Sequence, residues 1–133
     1  MDMRRLAMLP LLLAAAGAAH GADPLEAGRR VFNRCANCHQ VGPNAHSAFG
    51  PQLNGIIGRR AGAAGDYAYS PAMKNSRIVW DEKSLAAFLR DPDRVVPGNK
   101  MRFWGLNNER QIADLLAYLR SHAAPATAPR AAR

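Results

Sequence analysis

Five consecutive residues, Cys35-Ala36-Asn37-Cys38-His39, carry the most distinctive chemistry in the chain. Two thiols three positions apart at a helix end point the same way, so both can reach the two vinyl groups of one porphyrin as thioethers. His39 follows Cys35 by four positions, which puts its imidazole on the same face, able to bind iron from below. C-x-x-C-H is the attachment pattern of c-type haem. The other uses of two cysteines fit less well. A thioredoxin-like C-x-x-C wants a strand–loop–helix context that the surrounding sequence lacks. A structural zinc wants four ligands, and after residue 21 only His46 and His122 remain beyond the motif. A plain disulfide leaves His39 without a role.

An iron that carries electrons needs a second axial ligand, for which a thioether is the common soft choice. After residue 21 the chain has two methionines, Met73 and Met101. Met101 lies in the loop Pro97-Gly98-Asn99-Lys100-Met101-Arg102-Phe103, whose preset turn can swing it across the far face of a haem. Met73 lies near a short helical turn opened by Ser70-Pro71, where packing is the expected role. Met101 is therefore the expected ligand. His46 is only seven positions from His39 and is expected to be exposed, as is His122 near the end of the chain.

Three helices are predicted to position these groups. Asp23 caps the first, with Pro24 at its first position and Glu26 three residues after the cap. Leu25, Gly28 and Phe32 share its inner face, and it runs to about Cys35. Asp81 caps the second, with Leu85, Phe88 and Leu89 on one face, and Asp91-Pro92 stops it. Asn107 or Asn108 caps the third, whose apolar stripe is Ile112, Leu115, Leu116 and Leu119, with Tyr118 beside it. Between them, Val41–Gly65 and Val95–Leu106 are rich in turn residues and lack periodicity, so both read as loop. No strand of any length and no internal repeat is predicted. Three short helices enclose little apolar surface, which leaves the middle for a prosthetic group to fill.

Length and charge set the surroundings. The 133 residues suit one domain. With 48% hydrophobic and 21% charged residues the chain reads as globular rather than disordered. Two cysteines are too few for a disulfide-built miniprotein. Arg4-Arg5 followed by the apolar run Leu6–Ala19 reads as a secretory signal, because the run is shorter than the roughly 20 residues a membrane span needs. Small residues place the cut after Gly21. An uncleaved anchor and a twin-arginine signal are the weaker alternatives. Loss of residues 1–21 removes Arg4, Arg5 and Asp2 and takes the formal net charge from +8 to about +7. Residues 22–123 form the expected domain, and 124–133 an Ala/Pro-rich tail expected to be disordered. A basic domain of this kind would suit an acidic protein, a membrane surface or a nucleic acid.

The ordered set of motifs resembles class I cytochrome c, the type that includes mitochondrial cytochrome c and bacterial cytochrome c2. The matching pieces are Cys35-Ala-Asn-Cys-His39, Gly50-Pro51-Gln-Leu53, Gly58-Arg59, Tyr69, Trp80, Pro97-Gly98-x-Lys100-Met101-x-Phe103 and Leu115-x-Ala117-Tyr118. They span roughly residues 24–122. The resemblance implies an all-α fold of three main helices and long loops wrapped around one covalent haem c, held through Cys35 and Cys38, with His39 and Met101 on the iron. It implies that Pro51 offers its carbonyl to the His39 ring. Arg59, Tyr69 and Trp80 would bond or screen the haem propionates, and Phe103 would pack near the haem edge; read from residue type alone, these aromatics are core or haem-wall residues. Gly28 and Phe32 would meet Leu115 and Tyr118 where the first and last helices cross. Phe88 stands where many relatives have a tyrosine, Asn99 where a threonine is common, and Met73 where a polar residue is frequent.

The implied function is a soluble mono-haem carrier that shuttles single electrons between partners of a respiratory or photosynthetic chain by Fe(III)/Fe(II) cycling. It is not an enzyme and has no small-molecule substrate. It is expected to be monomeric, exported to the bacterial periplasm, and to meet acidic redox proteins, membrane complexes among them, at the haem edge. Arg29, Arg30, Arg34, Lys74, Lys100 and Arg102 are the candidate basic ring there. No motif supports nucleic-acid binding. Two other readings remain: a haem subunit of a larger periplasmic oxidoreductase, and a peroxidase-like or gas-binding haem protein with an open sixth site.

Overall fold

The computed structural model describes residues 21–123. The expected signal at 1–21, apart from Gly21, and the expected tail at 124–133 lie outside the described residues. Among these residues five helices follow one another: α1 Pro24–Phe32, α2 Pro71–Asn75, α3 Glu82–Arg90, α4 Pro92–Val95 and α5 Glu109–Ser121. Among the described residues there is no strand, only an isolated antiparallel bridge between Arg60 and Val79. No described helix is long and apolar enough to cross a membrane.

Local chemistry sets each helix start. The Asp23 carboxylate accepts the Leu25 N–H at 3.0 Å, and Pro24 supplies a preset φ where no hydrogen bond is lost. Glu26 does not close the cap as its position suggested. It takes the guanidiniums of Arg29 and Arg30 instead, one turn along the same face. Asp81 and Ser84 form a reciprocal box at α3, and Asn108 caps α5 through the Gln111 N–H at 3.0 Å. Asp91-Pro92 does end α3, but the same pair starts α4. The Asp91 carboxylate accepts the Arg94 N–H at 3.1 Å, with Pro92 at the first helical position. The α1 helix stops at Phe32, three residues before the predicted end, and the chain continues in tighter turns through Cys38.

α5 supplies the deepest core residues, Ile112 and Leu115, and α1 crosses it directly. Phe32 meets Tyr118 with ring centroids 5.4 Å apart. The crossing depends on Gly28. A β-carbon there would stand 2.1 Å from the Asp114 carbonyl oxygen and 2.6 Å from Tyr118 Cβ. Alanine would gain about 1 kcal/mol of helix propensity over glycine, but two rigid neighbours would have to retreat. Overpacking of this kind costs about 1–3 kcal/mol. Gly28→Ala is thus expected to lower the melting temperature of the haem-loaded protein by roughly 5–15 °C. An unchanged or higher midpoint would show that the helices separate freely.

The long segment from His39 to Ser70 is held by side chains rather than by repeating backbone bonds. The buried amide of Asn54 accepts the Gly42 N–H at 2.8 Å and donates to the Gly42 carbonyl at 2.7 Å. Backbone bonds from Gly58 to Trp80, Ala61 to Ile78 and Trp80 to Arg59 then tie this segment to the strand-like stretch before α3.

Candidate haem site

The turn after α1 brings the attachment residues together. The Cys38 and His39 N–H groups both donate to the Cys35 carbonyl, at 3.0 and 2.9 Å, so the five-residue motif is a closed turn. The Gly50 N–H donates to the Cys38 carbonyl at 2.9 Å and lays Gly50-Pro51 against the imidazole. The Pro51 carbonyl lies 2.7 Å from His39 Nδ1. A carbonyl can only accept, so the proton sits on Nδ1, and Nε2 keeps its lone pair for a metal. A β-carbon on Gly50 would stand 2.6 Å from His39 Cε1, so only glycine leaves room for the ring in this pose. A glycine directly before the expected carbonyl acceptor is the one sequence signal of this role.

All nine predicted site residues line one cavity of about 350 Å³: Cys35, Cys38, His39, Pro51, Arg59, Tyr69, Trp80, Met101 and Phe103. Its walls are mostly apolar, with Leu53, Ile56, Leu85, Phe88, Leu89, Leu115 and Leu119 among them. Protein interiors rarely hold voids larger than a water molecule. Left unfilled, a space of this size would strip its apolar walls of packing contacts on one side. The site is built for a large apolar group with polar edges, and the donor set fits haem.

Burial of the thiol and the imidazole supports the same fit. Burial pushes the Cys35 thiol up to about 11, so it stays protonated at neutral pH, unlike a redox or zinc-binding thiolate. Burial holds the His39 imidazole below its ordinary range, with Arg59 adding to this, while the Pro51 carbonyl partly opposes it. The ring is therefore neutral, as a ligand must be. Among the described residues no three His, Cys, Asp or Glu side chains gather into another metal site.

Two donors expected at propionates keep capacity to spare. Arg59 gives one N–H to the Asn54 carbonyl at 3.2 Å and one to the Gln52 carbonyl at 2.7 Å, leaving three of its five. Tyr69 accepts the Ala64 N–H at 3.3 Å, and its own hydroxyl proton remains to donate. Trp80 packs tilted on Phe88 at 5.0 Å. His46 and His122 do not line the cavity, in keeping with the reading that neither is a ligand.

The rim differs from the predicted ring. Arg34, Lys100 and Arg102 line the cavity, and Arg60, which the sequence reading overlooked, joins them. Arg29 and Arg30 instead pair with Glu26, and Lys74 sits exposed in the last turn of α2, outside the lining. Tyr67, also overlooked, donates its hydroxyl to the Phe49 carbonyl at 3.1 Å and meets Tyr69 edge-on at 4.8 Å. The Lys100 ammonium donates to the Ala68 carbonyl at 2.5 Å and lies 5.9 Å from the centre of the Tyr67 ring. These contacts join the Met101 loop to the loop before α2. Nothing in local periodicity marks Phe49, Arg60 or Tyr67, since loops without repeat bring them there.

Residues 25–123 match the family model described as cytochrome c. Cytochrome c2 of Blastochloris viridis is 42% identical over 118 residues, covering 89% of this chain and 93% of that protein. Cytochrome c2 of Rhodoblastus acidophilus is 47% identical over 97 residues, 73% of this chain and 90% of that protein. The solved structure of cytochrome c2 from Rhodospirillum centenum superposes with a TM-score of 0.71 at 31% identity, covering 77% of this chain and 99% of that one.

Proposed function

Because the chain belongs to the cytochrome c family, a family of mono-haem electron carriers rather than enzymes, we propose how its own residues do that work. Cys35 and Cys38 would hold haem c covalently as thioethers, and His39 Nε2 and the Met101 thioether would ligate its iron. Bound haem c supplies the one-electron Fe(III)/Fe(II) couple. The chain supplies everything that makes this couple fast and selective. The Pro51 carbonyl fixes the His39 tautomer and ring plane. Arg59 and Tyr69 offer donors to the propionate carboxylates, so these can be held in an apolar site. The aliphatic and aromatic walls exclude water, which disfavours the extra positive charge of the oxidised state and raises the potential. The observation that carries this reading is one apolar cavity on which two thiols, a neutral imidazole and a thioether converge.

The protein exchanges electrons with redox partners, and we infer that these partners are acidic proteins met briefly at the cavity rim. Arg34, Arg60, Lys100 and Arg102 put four cations there. Trp104 beside them is fully exposed and outside the cavity lining, so it offers apolar contact area to a docked surface. Such encounters bury little area, which suits a carrier acting as a monomer that must let go. Residues 1–21 would export the domain 22–123 to the periplasm, with 124–133 as its tail. Charge reversal separates the rim from charge elsewhere. Arg60→Glu or Arg102→Glu is expected to slow electron transfer to an acidic redox protein by about fivefold at low salt, with the difference shrinking as ionic strength rises. Arg29→Glu, on a residue paired within α1, should change the rate little. Equal slowing by all three reversals in stopped-flow measurements would mean that only net charge matters.

A further inference from the structure

We propose that Asp93 and Asn99 form a strap that positions the axial methionine, with Asn99 acting as a positioning residue and Asp93 as its anchor. The inference rests on the assignment of Met101 as the sixth ligand. Asn99 is 4% exposed, and its amide is committed at both ends. Nδ2 donates to Asp93 Oδ1 at 3.0 Å and to the Val96 carbonyl at 2.9 Å. Oδ1 accepts the backbone N–H of Met101 at 2.8 Å.

The orientation of this amide follows from its partners. Rotated by half a turn, its oxygen would face a carboxylate and a carbonyl, and its NH₂ would face an N–H. Only the observed pose satisfies all three contacts. The residue at this position must therefore both donate and accept, in two directions at once. A single hydroxyl, as in threonine, could accept from Met101 but has one proton to give and a shorter reach. An aspartate would set one carboxylate against another.

The strap runs back to a helix. Asp91 caps α4 through the Arg94 N–H, α4 carries Asp93, and the turn at Gly98, with φ +85°, returns the chain to Asn99. The Asn99 N–H also donates to the Val96 carbonyl at 3.1 Å. The backbone from which the thioether projects is thus tied to α4 on one side. On the other, Lys100 is tied to Ala68. A loop held on both sides loses little entropy when its methionine binds, so the sulfur competes well against outside ligands.

Competition supplies the test. Imidazole titrated into the oxidised, haem-loaded protein displaces the weak thioether, and its apparent affinity reads how firmly the methionine is held. Asn99→Ala is expected to bind imidazole about tenfold more tightly and to lose part of the long-wavelength iron–sulfur band. Asp93→Ala changes an exposed side chain and should fold even where Asn99→Ala does not. It is expected to shift the affinity about threefold in the same direction. If Asp93 acts through Asn99, the double variant will match Asn99→Ala alone. Wild-type imidazole affinity in Asp93→Ala and in Asn99→Ala would overturn the strap, and so would additive shifts. Met101→Ala serves as the reference. If it keeps both the band and the wild-type affinity, the ligand assignment has failed and takes the strap with it. If it loses both while Asn99→Ala stays wild-type, the strap alone is refuted.

Discussion

Protein in which Cys35 and Cys38 are both replaced by alanine, and which therefore matures without covalent haem, is expected to show little helix and no cooperative melt. The reason lies in where the core faces. Ile56, Trp80, Leu85, Phe88, Leu89, Leu115 and Leu119 are all buried, and every one of them also lines the 350 Å³ cavity. Removing the occupant leaves these side chains without packing contacts on one side and open to water. A domain of this size has about 5–15 kcal/mol in all. The remaining elements cannot stand alone. Among the described residues the longest helix, α5, has 13 residues, and α1 and α3 have nine each, near or below the length at which isolated helices are even marginal in water. Exposed ion pairs such as Arg90–Glu109 and Arg120–Glu82 tie α3 to α5 but add little against that loss. Far-ultraviolet circular dichroism through a thermal scan checks this. A haem-free form with native helicity and a sharp transition would mean that the cavity can close over itself and that haem is a guest rather than part of the core.

Much of this arrangement was legible because its signals are local. Asp23-Pro24, Asp81 and Asn108 sit where a cap must sit, and the stripe Ile112, Leu115, Leu116, Leu119 repeats at the helical period, so three helices could be read directly. The attachment motif is likewise a five-residue pattern. What stayed hidden depends on competition or on distance. Glu26 had the right spacing for a capping box, yet two arginines on its own helix face captured it. Pro92 stops α3, but proline is equally suited to a first helical turn, and the Asp91 side chain makes it the start of α4. Sequence alone carries α1 on to Cys35, because the turns that hold Cys35 and Cys38 continue the helical direction with tighter bonds. Arg60, Tyr67 and Phe49 reach the rim through loops with no period. Asn99 finds Asp93 across a turn that no propensity rule describes.

Oxidised protein carrying Met101→Ala is expected to lose the weak long-wavelength iron–sulfur band, and its midpoint potential should fall by about 0.1 V or more, well within the ~0.8 V range that axial ligands command. The haem should stay, because the thioethers at Cys35 and Cys38 and the His39–Pro51 bond are untouched. Helicity should stay as well, since Met101 lies in a loop outside every helix. The candidates for the lost ligand can be narrowed by what reaches the cavity. His46 and His122 do not line it, and the Lys100 ammonium is held by the Ala68 carbonyl. Met73 does line it and is the one real competitor. Its backbone is fixed inside α2, with its N–H on the Ser70 hydroxyl at 3.1 Å and its carbonyl accepting the Ser76 hydroxyl at 2.9 Å. A thioether held there fills the wall with an apolar group, which dries the site and favours the reduced state. Met73→Ala should therefore keep the band and shift the potential much less than Met101→Ala. Should the band survive in Met101→Ala and vanish in Met73→Ala, the two sulfurs have exchanged roles. The 97–103 loop would then be a wall and α2 the ligand-bearing element. Spectra of the two single variants, recorded side by side with a redox titration, separate these arrangements, because the band reports which sulfur is on the iron while the potential reports how dry its surroundings are.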